Sequence, residues 1–143
     1  MTDAALDTEL SDALHHRGRR VTLPRLMVHR YVRRAPRHMT AEDVRRELPS
    51  LSFATVYSTL ELFEDLGLVQ RVGTLEGAAV YDSRTEPHHH AHCRRCGRVV
   101  DIDAGRASER VRQAATAAGF VVERAEVQVV GLCAECAAAA ADR

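Results

Sequence analysis

The sequence contains no lysine, so all 20 of its basic side chains are arginines. It also lacks any apolar run approaching the about 18 residues that a membrane-spanning helix needs. Residues 1–9 are acidic and have no apolar run of the kind found in a secretory signal. We therefore expect a cytoplasmic protein without a membrane partner. The 143 residues, 45% of them apolar, suffice for one medium domain or two small ones.

Cysteine is scarce and none is left over, because all four cysteines fall into two Cys-x-x-Cys pairs, Cys93 with Cys96 and Cys133 with Cys136. Two such pairs are typical of a tetrahedral structural zinc site, although the 36 residues between them exceed the about 15 to 20 of a compact zinc ribbon. Two disulfides or a thioredoxin-type redox pair are the alternatives. Nothing indicates export, and neither pair has a thioredoxin-like context, so the pattern favours zinc.

The charges are unevenly distributed although the net charge is zero. Between Leu14 and His38 there are eight arginines and no acidic residue. Such a block is expected of a surface that binds phosphate groups. A solvated arginine-rich face is the alternative, because a chain without lysine uses arginine everywhere.

Helix signals follow one another through the first half of the chain. Thr22 and Pro24 are typical of a helix start, and Pro36 would end that helix. Residues 40–43, Thr-Ala-Glu-Asp, form a capping box for a short helix that Pro49 stops.

A longer helix and a hairpin come next. Gly67 is placed to end this helix, and strand-like runs at 68–72 and 78–82 are joined through 73–77. Short helix, turn, longer helix and hairpin predict a winged-helix DNA-binding domain over residues 1–84, with a helical hairpin of an unrelated domain as the alternative. The apolar residues expected on the buried face of the longer helix are Phe53, Val56, Leu60 and Phe63.

The character of the sequence changes after a polar stretch, residues 83–87, that suits a hinge. A small α/β domain is predicted over residues 85–143, which makes the whole chain α+β. A unit this small needs support, and zinc and a partner subunit would provide it. Its predicted elements are strands at 88–93, 98–102 and 120–132 and a helix at 106–118.

Seven short motifs are spread over nearly the whole chain: 20–25 (RVTLPR), 38–43 (HMTAED), 54–57 (ATVY), 66–69 (LGLV), 88–90 (HHH), 93–97 (CRRCG) and 131–136 (GLCAEC). Together they resemble the motifs of the ferric uptake regulator (Fur) family. The resemblance implies a homodimeric, metal-dependent transcriptional repressor of operator DNA, with an N-terminal winged helix, a C-terminal dimerisation domain, structural zinc on the four cysteines and a separate regulatory metal.

The regulatory metal ligands that the resemblance implies are three histidines and two aspartates, and all are present: His38, Asp82, His88, His90 and Asp101. A nitrogen and oxygen set without sulfur suits Fe(II) or Mn(II), with zinc as an alternative. His38 and Asp82 belong to the first predicted domain and the other three to the second, so a metal there would link the domains.

The remaining histidines are expected to have lesser roles. His89 and His92 are interpreted as outward or supporting residues of the cluster, and His15, His16 and His29 as surface or DNA-flanking residues. Some iron-responsive members of the family have a further metal site. Here Pro87 and Ala125 stand where those members have histidines, and only His89 and Glu109 of that site remain, so we do not predict it.

Asp101 stands where iron-responsive members usually carry glutamate, which resembles the peroxide-sensing PerR branch. In that branch, iron-catalysed oxidation of a ligating histidine, here His38 or His88, releases the DNA. A regulator of iron or zinc availability is the alternative. The DNA contacts expected are Arg17, Arg19 and Arg20 with phosphates or a groove flank, and Thr55, Tyr57 and Ser58 with bases.

Two other classes of function remain open from the sequence. A non-haem iron enzyme would use the same His and Asp set, but nothing indicates a substrate pocket, so we expect no enzyme and no small-molecule substrate beyond the peroxide signal. A zinc-binding protein interaction module would need no DNA contact at all.

Overall fold

The computed structural model describes residues 1–35, 38–86 and 88–141. It divides the chain into two compact units, Met1–Thr85 and Glu86–Arg143. The predicted α+β class is confirmed. The predicted helix stop at Pro36 and the last residue of the predicted hinge, Pro87, lie outside the described residues.

Among its described residues, the first unit has four helices and a three-stranded antiparallel sheet in the order β1-β3-β2. Its elements are α1 (Asp3–His15), α2 (Leu23–Arg34), β1 (His38–Thr40), α3 (Ala41–Glu47), α4 (Phe53–Asp65), β2 (Gln70–Leu75) and β3 (Ala78–Asp82).

Helix α1 was not predicted, since only the acidity of the first residues was considered. Leu6, Leu10 and Leu14 recur every four residues and are completely buried, which is the stripe of a helix docked along one face. The hydroxyl of Thr2 caps its first turn by accepting a hydrogen bond from the Ala5 amide.

The helix starts and stops of the first unit follow local chemistry. The predicted capping box is confirmed, because the Thr40 hydroxyl accepts from the Asp43 amide and the Asp43 carboxylate accepts from the Thr40 amide. Thr22 stands at the N-cap of α2, yet its side chain makes no capping hydrogen bond. Gly67 follows α4 with a φ of 72°, a left-handed conformation that glycine adopts without strain.

The core of the first unit confirms most of the predicted buried face of α4. Val56, Leu60 and Phe63 are completely buried. The predicted burial of Phe53 is wrong, because its side chain is 49% exposed. Side chains lean toward the start of a helix, so the first residue of α4 projects beyond the layer that covers the next turn. Phe53 stacks on Tyr57 instead, with ring centroids 6.0 Å apart.

The wing is a tighter hairpin than predicted. Glu76 and Gly77 both have positive φ, so a two-residue turn joins β2 and β3 and the strands continue to Leu75 and from Ala78. The strand β1 was not predicted, and it places His38 opposite Asp82 of β3.

The part of the second unit that the structure describes contains three strands in the order β5-β4-β6 and two helices. Strands β4 and β5 are antiparallel, whereas β4 and β6 are parallel. No helix among the described residues is both long and apolar enough to span a bilayer. The elements of this unit are β4 (His89–Cys93), β5 (Val99–Ile102), α5 (Gly105–Ala117), β6 (Gln128–Gly131) and α6 (Ala134–Ala141).

Two predictions for the second unit need correction. The long strand predicted over 120–132 is reduced to β6, because its partner β4 has only five residues and their ladder is four pairs long. Phe120 and Val121, without a partner strand, are 69% and 93% exposed. Helix α6 was not predicted, although its alanine run has the highest helix propensity.

Candidate metal centres and nucleic-acid surface

The four cysteine sulfurs gather at one end of the β4–β6 ladder, and each lies within 4.8 Å of the others. Cys93 ends β4, and the Gly97 amide closes its turn by donating to the Cys93 carbonyl oxygen at 2.9 Å. The second pair follows β6, with Cys136 in the first turn of α6.

The spacing of these sulfurs matches a tetrahedral zinc site. Two sulfurs at about 2.3 Å from one zinc ion are separated by about 3.8 Å, and the Cys96 and Cys133 sulfurs are 3.8 Å apart. A disulfide needs about 2.05 Å, and all four thiols are free. The geometry therefore favours zinc over the disulfide alternative.

The thiols differ in how readily they ionise. Backbone amides of Cys96 and Cys133 donate to the Cys93 sulfur and lower the pKa of Cys93 to about 5. The pKa of Cys136 is raised to about 12, mainly by hydrogen bonding to Cys133 and by burial. Four thiolates can share this space only if a cation balances their charge.

Arginines fasten the two cysteine turns together. Arg98 donates to both carboxylate oxygens of Glu135 at 3.0 and 3.1 Å, and Arg95 donates to the Cys136 carbonyl oxygen at 3.1 Å. Helix α6 is thereby held against the turn that follows β4.

A histidine and aspartate cluster lies in the same unit. The register of β4 and β5 places Asp101 directly opposite His90. The Nε2 atoms of His88 and His90 each lie 3.6 Å from Asp101 Oδ1, and the two imidazole centroids are 4.4 Å apart. Three atoms that can bind a metal therefore converge on a shared point.

The other ring nitrogen of each histidine faces an oxygen. His88 Nδ1 lies 2.7 Å from the Glu86 carbonyl oxygen, and His90 Nδ1 lies 3.1 Å from Glu126 Oε1. An Nδ1 proton donated to these oxygens leaves Nε2 as the lone-pair atom on the side of Asp101. The sequence reasoning missed Glu126, because a lone glutamate 36 residues from His90 gives no local signal.

A second pair of the expected ligands lies in the first unit. His38 Nε2 is 3.2 Å from Asp82 Oδ2 across the β1–β3 ladder. Asp82 is completely buried, and its Oδ1 accepts the Arg84 amide at 2.7 Å. This arrangement serves equally as an ion pair or as two adjacent metal ligands.

The structure places His89 and His92 in supporting positions. His89 Nδ1 accepts the Val127 amide at 3.0 Å, and His92 Nε2 is hydrogen-bonded to the Gln128 amide group at 2.8 Å. Both side chains join β4 to the segment that contains β6. Glu109 accepts a hydrogen bond from Gln113 one turn along α5.

The arginines of the basic block differ in their surroundings, and Arg37 lies outside the described residues. Three of the block's arginines pair with acidic residues of α1. Arg30 donates to both oxygens of Asp7, and the pKa of that carboxyl is lowered chiefly by these hydrogen bonds. The other pairs are Arg33 with Glu9 and Arg34 with Asp3.

The three arginines predicted to contact DNA lie in the exposed connection between α1 and α2. Arg17, Arg19 and Arg20 are all exposed. Arg19 and Arg25 line a polar cavity of about 300 Å³ together with Ser58 of α4. Basic side chains and the outer face of α4 are therefore adjacent.

The first residues of α4 lie at the surface of the first unit. The Ser52 hydroxyl accepts the Thr55 amide at 3.1 Å, and the Ser58 hydroxyl donates to the Thr55 carbonyl oxygen. Ser58 is exposed and Thr55 is half-buried, and the stacked pair of Phe53 and Tyr57 lies beside them in sequence. Because Phe53 is exposed rather than buried, it becomes a further candidate for contact with DNA.

His29 also differs from its predicted surface position. It is 1% exposed, packs edge-on against Phe63 with centroids 5.8 Å apart, and has Nε2 3.5 Å from Glu9 Oε2. Burial lowers the pKa of His29. His15 and His16 are exposed, as expected.

Together, the winged helix and the sulfur and histidine clusters define a metal-binding protein of the winged-helix class. The model of the Ferric uptake regulator family matches residues 16–130. The chain belongs to this family.

Relatives of known role cover nearly the full length of the chain. The Peroxide operon regulator of Bacillus subtilis is 33% identical over 132 residues, which are 90% of this chain and 91% of the relative. The Peroxide-responsive repressor PerR of Staphylococcus aureus is 30% identical over 139 residues, covering 92% and 94%. The ferric uptake regulator of Pseudomonas aeruginosa with manganese superposes with a TM-score of 0.75 at 30% identity, covering 90% and 98%.

Proposed function

We propose that the protein is a homodimeric, metal-dependent transcriptional repressor that senses peroxide and then releases operator DNA. The observation that carries this proposal is the convergence of His88 Nε2, His90 Nε2 and Asp101 Oδ1, separate from the cysteine cluster. A thiolate cage and a nitrogen and oxygen cluster in one chain suit two metals with different tasks.

The cysteine cluster has the structural task. Four thiolates close the shell of a zinc ion and leave no position open for chemistry. Because a cysteine cluster of this kind is stable only around its metal, binding of zinc contributes directly to folding of the second unit. Thiolates kept ready for zinc also suit the reducing cytoplasm.

The regulatory metal, Fe(II) or Mn(II), takes the histidine and aspartate residues. The second unit contributes His88, His90 and Asp101, and the first contributes His38 and Asp82, which are already paired across their own sheet. These five residues form the proposed ligand set of the regulatory metal, and DNA binding depends on its occupancy. Loss of any one ligand weakens metal binding.

The histidine ligands are also the residues that record the signal. Fe(II) bound there would supply the electron that reduces hydrogen peroxide and so generates a short-lived oxidant. His38 and His88 are the imidazoles that the resemblance to the peroxide-sensing branch implies are oxidised. An oxygen added to either ring removes a ligand, so the metal and the metal-dependent binding of DNA are lost. The chain is consumed by this reaction rather than turning over, and in this respect it is not an enzyme.

The DNA surface consists of two parts with different tasks. Arg17, Arg19 and Arg20 contact phosphates, because they are exposed and not paired to α1. Thr55, Tyr57 and Ser58 of α4 contact bases in the major groove.

A second copy of the chain completes the assembly. Apolar side chains of the second unit are exposed in one subunit, and burial against a partner subunit would remove them from water. The most exposed are Phe120, Val121 and Val130, at 69%, 93% and 64%.

The decisive experiment compares two metals in one protein. Zinc-loaded dimer is charged anaerobically with Fe(II) or with Mn(II), and bound to a duplex selected from random sequence with the Mn(II) form. Low peroxide should release DNA from the iron form and spare the manganese form. Mass spectrometry should then find one added oxygen on a peptide with His38 or His88.

Regulation by iron or zinc availability is the second candidate, since the same ligand set accepts these metals reversibly. Under that function the iron form keeps its DNA in peroxide, and only removal of the metal releases it. Asp101→Glu is the matched variant, because glutamate is the residue usual in iron-responsive members. It should bind DNA with iron but release less of it in peroxide.

A further inference from the structure

Glu126 lies beside the histidine and aspartate cluster of the second unit but outside the expected ligand set. We infer that Glu126 is a positioning residue, which holds the imidazole of His90 in the tautomer whose Nε2 lone pair faces Asp101. This inference rests on the proposed function, because it gives that tautomer its use in binding the regulatory metal.

The contact between Glu126 and His90 is well defined. Glu126 Oε1 lies 3.1 Å from His90 Nδ1, and His90 is 1% exposed whereas the Glu126 side chain is 34% exposed. The adjacent residue holds the backbone, since the His90 amide donates to the Val127 carbonyl oxygen at 3.1 Å. The same segment therefore fixes both the main chain and the ring of His90.

The chemistry of the contact decides where the imidazole proton lies. An ionised carboxylate only accepts hydrogen bonds, so His90 Nδ1 must carry the proton in this contact. The neutral ring then has its lone pair on Nε2, the atom 3.6 Å from Asp101 Oδ1. A carboxylate behind a ligating histidine also makes the ligand more basic.

Glu126 is itself held in place by a neighbour. Arg124 donates to Glu126 Oε2 at 3.1 Å, which leaves Oε1 directed at His90. The Nδ1 of His88 lies 2.7 Å from the backbone carbonyl oxygen of Glu86.

The first test reads the tautomer without the regulatory metal. Zinc-loaded protein labelled with ¹⁵N-histidine is compared by long-range ¹H–¹⁵N correlation, with His90→Gln to assign the ring. Wild type should show His90 protonated on Nδ1. Glu126→Ala should show loss of that single tautomer, and Glu126→Gln, which keeps an acceptor oxygen, should restore it.

The second test measures affinity for Mn(II) in the same zinc-loaded proteins by competition with a chelator. Loss of a partner behind a ligating histidine weakens metal binding about 10- to 100-fold, so we expect this range for Glu126→Ala and a smaller loss for Glu126→Gln. Glu123→Ala is the matched control, since Glu123 is an exposed carboxylate of the same segment. It should change neither affinity nor tautomer.

The outcomes separate the inference from the proposed function. Unchanged tautomer and Mn(II) affinity in Glu126→Ala would overturn the inference and leave the function standing. Wild type that binds no ion beyond zinc would overturn the function, whatever the tautomer. If Glu126→Ala loses zinc or folded structure, Glu126→Leu, which has no acceptor atom, replaces it in both tests with the same expected results.

Discussion

Replacement of single arginines should separate phosphate contacts from internal ion pairs. Arg19 is exposed in the connection between α1 and α2, whereas Arg34 is paired with Asp3 of α1. We expect Arg19→Ala to weaken binding to every duplex and to reduce its salt dependence. Arg34→Ala removes the same charge from the same basic block, yet should leave the salt dependence nearly unchanged.

The magnitude follows from the number of counterions released. Each phosphate contact contributes about 0.9 to the slope of log affinity against log salt concentration. A homodimer with the Arg19 change loses two contacts, so the slope should become shallower by about 1.8. Between 50 and 200 mM salt, that difference amounts to about a 12-fold change in the relative affinity of variant and wild type.

Fluorescence anisotropy with a labelled duplex and the Mn(II)-loaded dimer provides the measurement at several salt concentrations. Circular dichroism and zinc content check that each variant is folded. If Arg34→Ala flattens the slope as much as Arg19→Ala, the division of the arginine block into paired and phosphate-binding residues is refuted.

Four further changes test other parts of the molecule. Cys96→Ser leaves an incomplete thiolate shell, so its zinc content in elemental analysis should fall below the about one ion per subunit expected of wild type. The dimer should also dissociate in sedimentation. Wild type that is zinc-free and disulfide-bonded after anaerobic purification would contradict this. Leu10→Ala opens a cavity under α1 and should lower the free energy of unfolding by about 2–5 kcal/mol in urea titrations, whereas a loss below 1 kcal/mol would mean that α1 is not docked. Tyr57→Ala should erode discrimination between selected and random duplexes more than overall affinity, and Phe53→Ala should do the same without loss of stability; equal losses on both duplexes would argue against this orientation of α4. Burial lowers the pKa of His29 below its usual 6.5. The unfolded chain therefore binds more protons than the folded chain, and the free energy of unfolding should decline as pH falls below 6.5. His29→Gln should reduce that decline, and an unchanged pH profile in this variant would refute the role of His29.

Local chemistry made much of the first unit predictable from sequence. The Thr40 capping box and the buried face of α4 depend on residues three or four positions apart, which a linear sequence displays directly. Helix α1 was not predicted because its evidence was a sparse leucine stripe in an acidic segment. Its acidic side chains pair with distant residues of α2, such as Asp7 with Arg30.

Contacts between distant segments could not be predicted in the same way. The alternating valines of 120–132 suggest a long strand, but the length of a ladder is set by the partner strand, here β4. Likewise, the hydrogen bond of Glu126 with His90 depends on the parallel register of β4 and β6. The family resemblance supplied the ligand set, whereas it contained nothing about Glu126.

The parallel ladder of β4 and β6 sets the spacing between the cysteine cluster and the histidine and aspartate cluster. His90 and Cys93 lie three residues apart on β4, about 10 Å along a strand, and the ladder pairs them with Gln128 and Gly131. A slip of one residue in so short a ladder would turn every side chain of β6 to the opposite face. The proposed zinc ion, bound by the four thiolates at the cysteine end, would prevent that slip. The strand register at His90 would then depend on an ion that is not one of its own ligands.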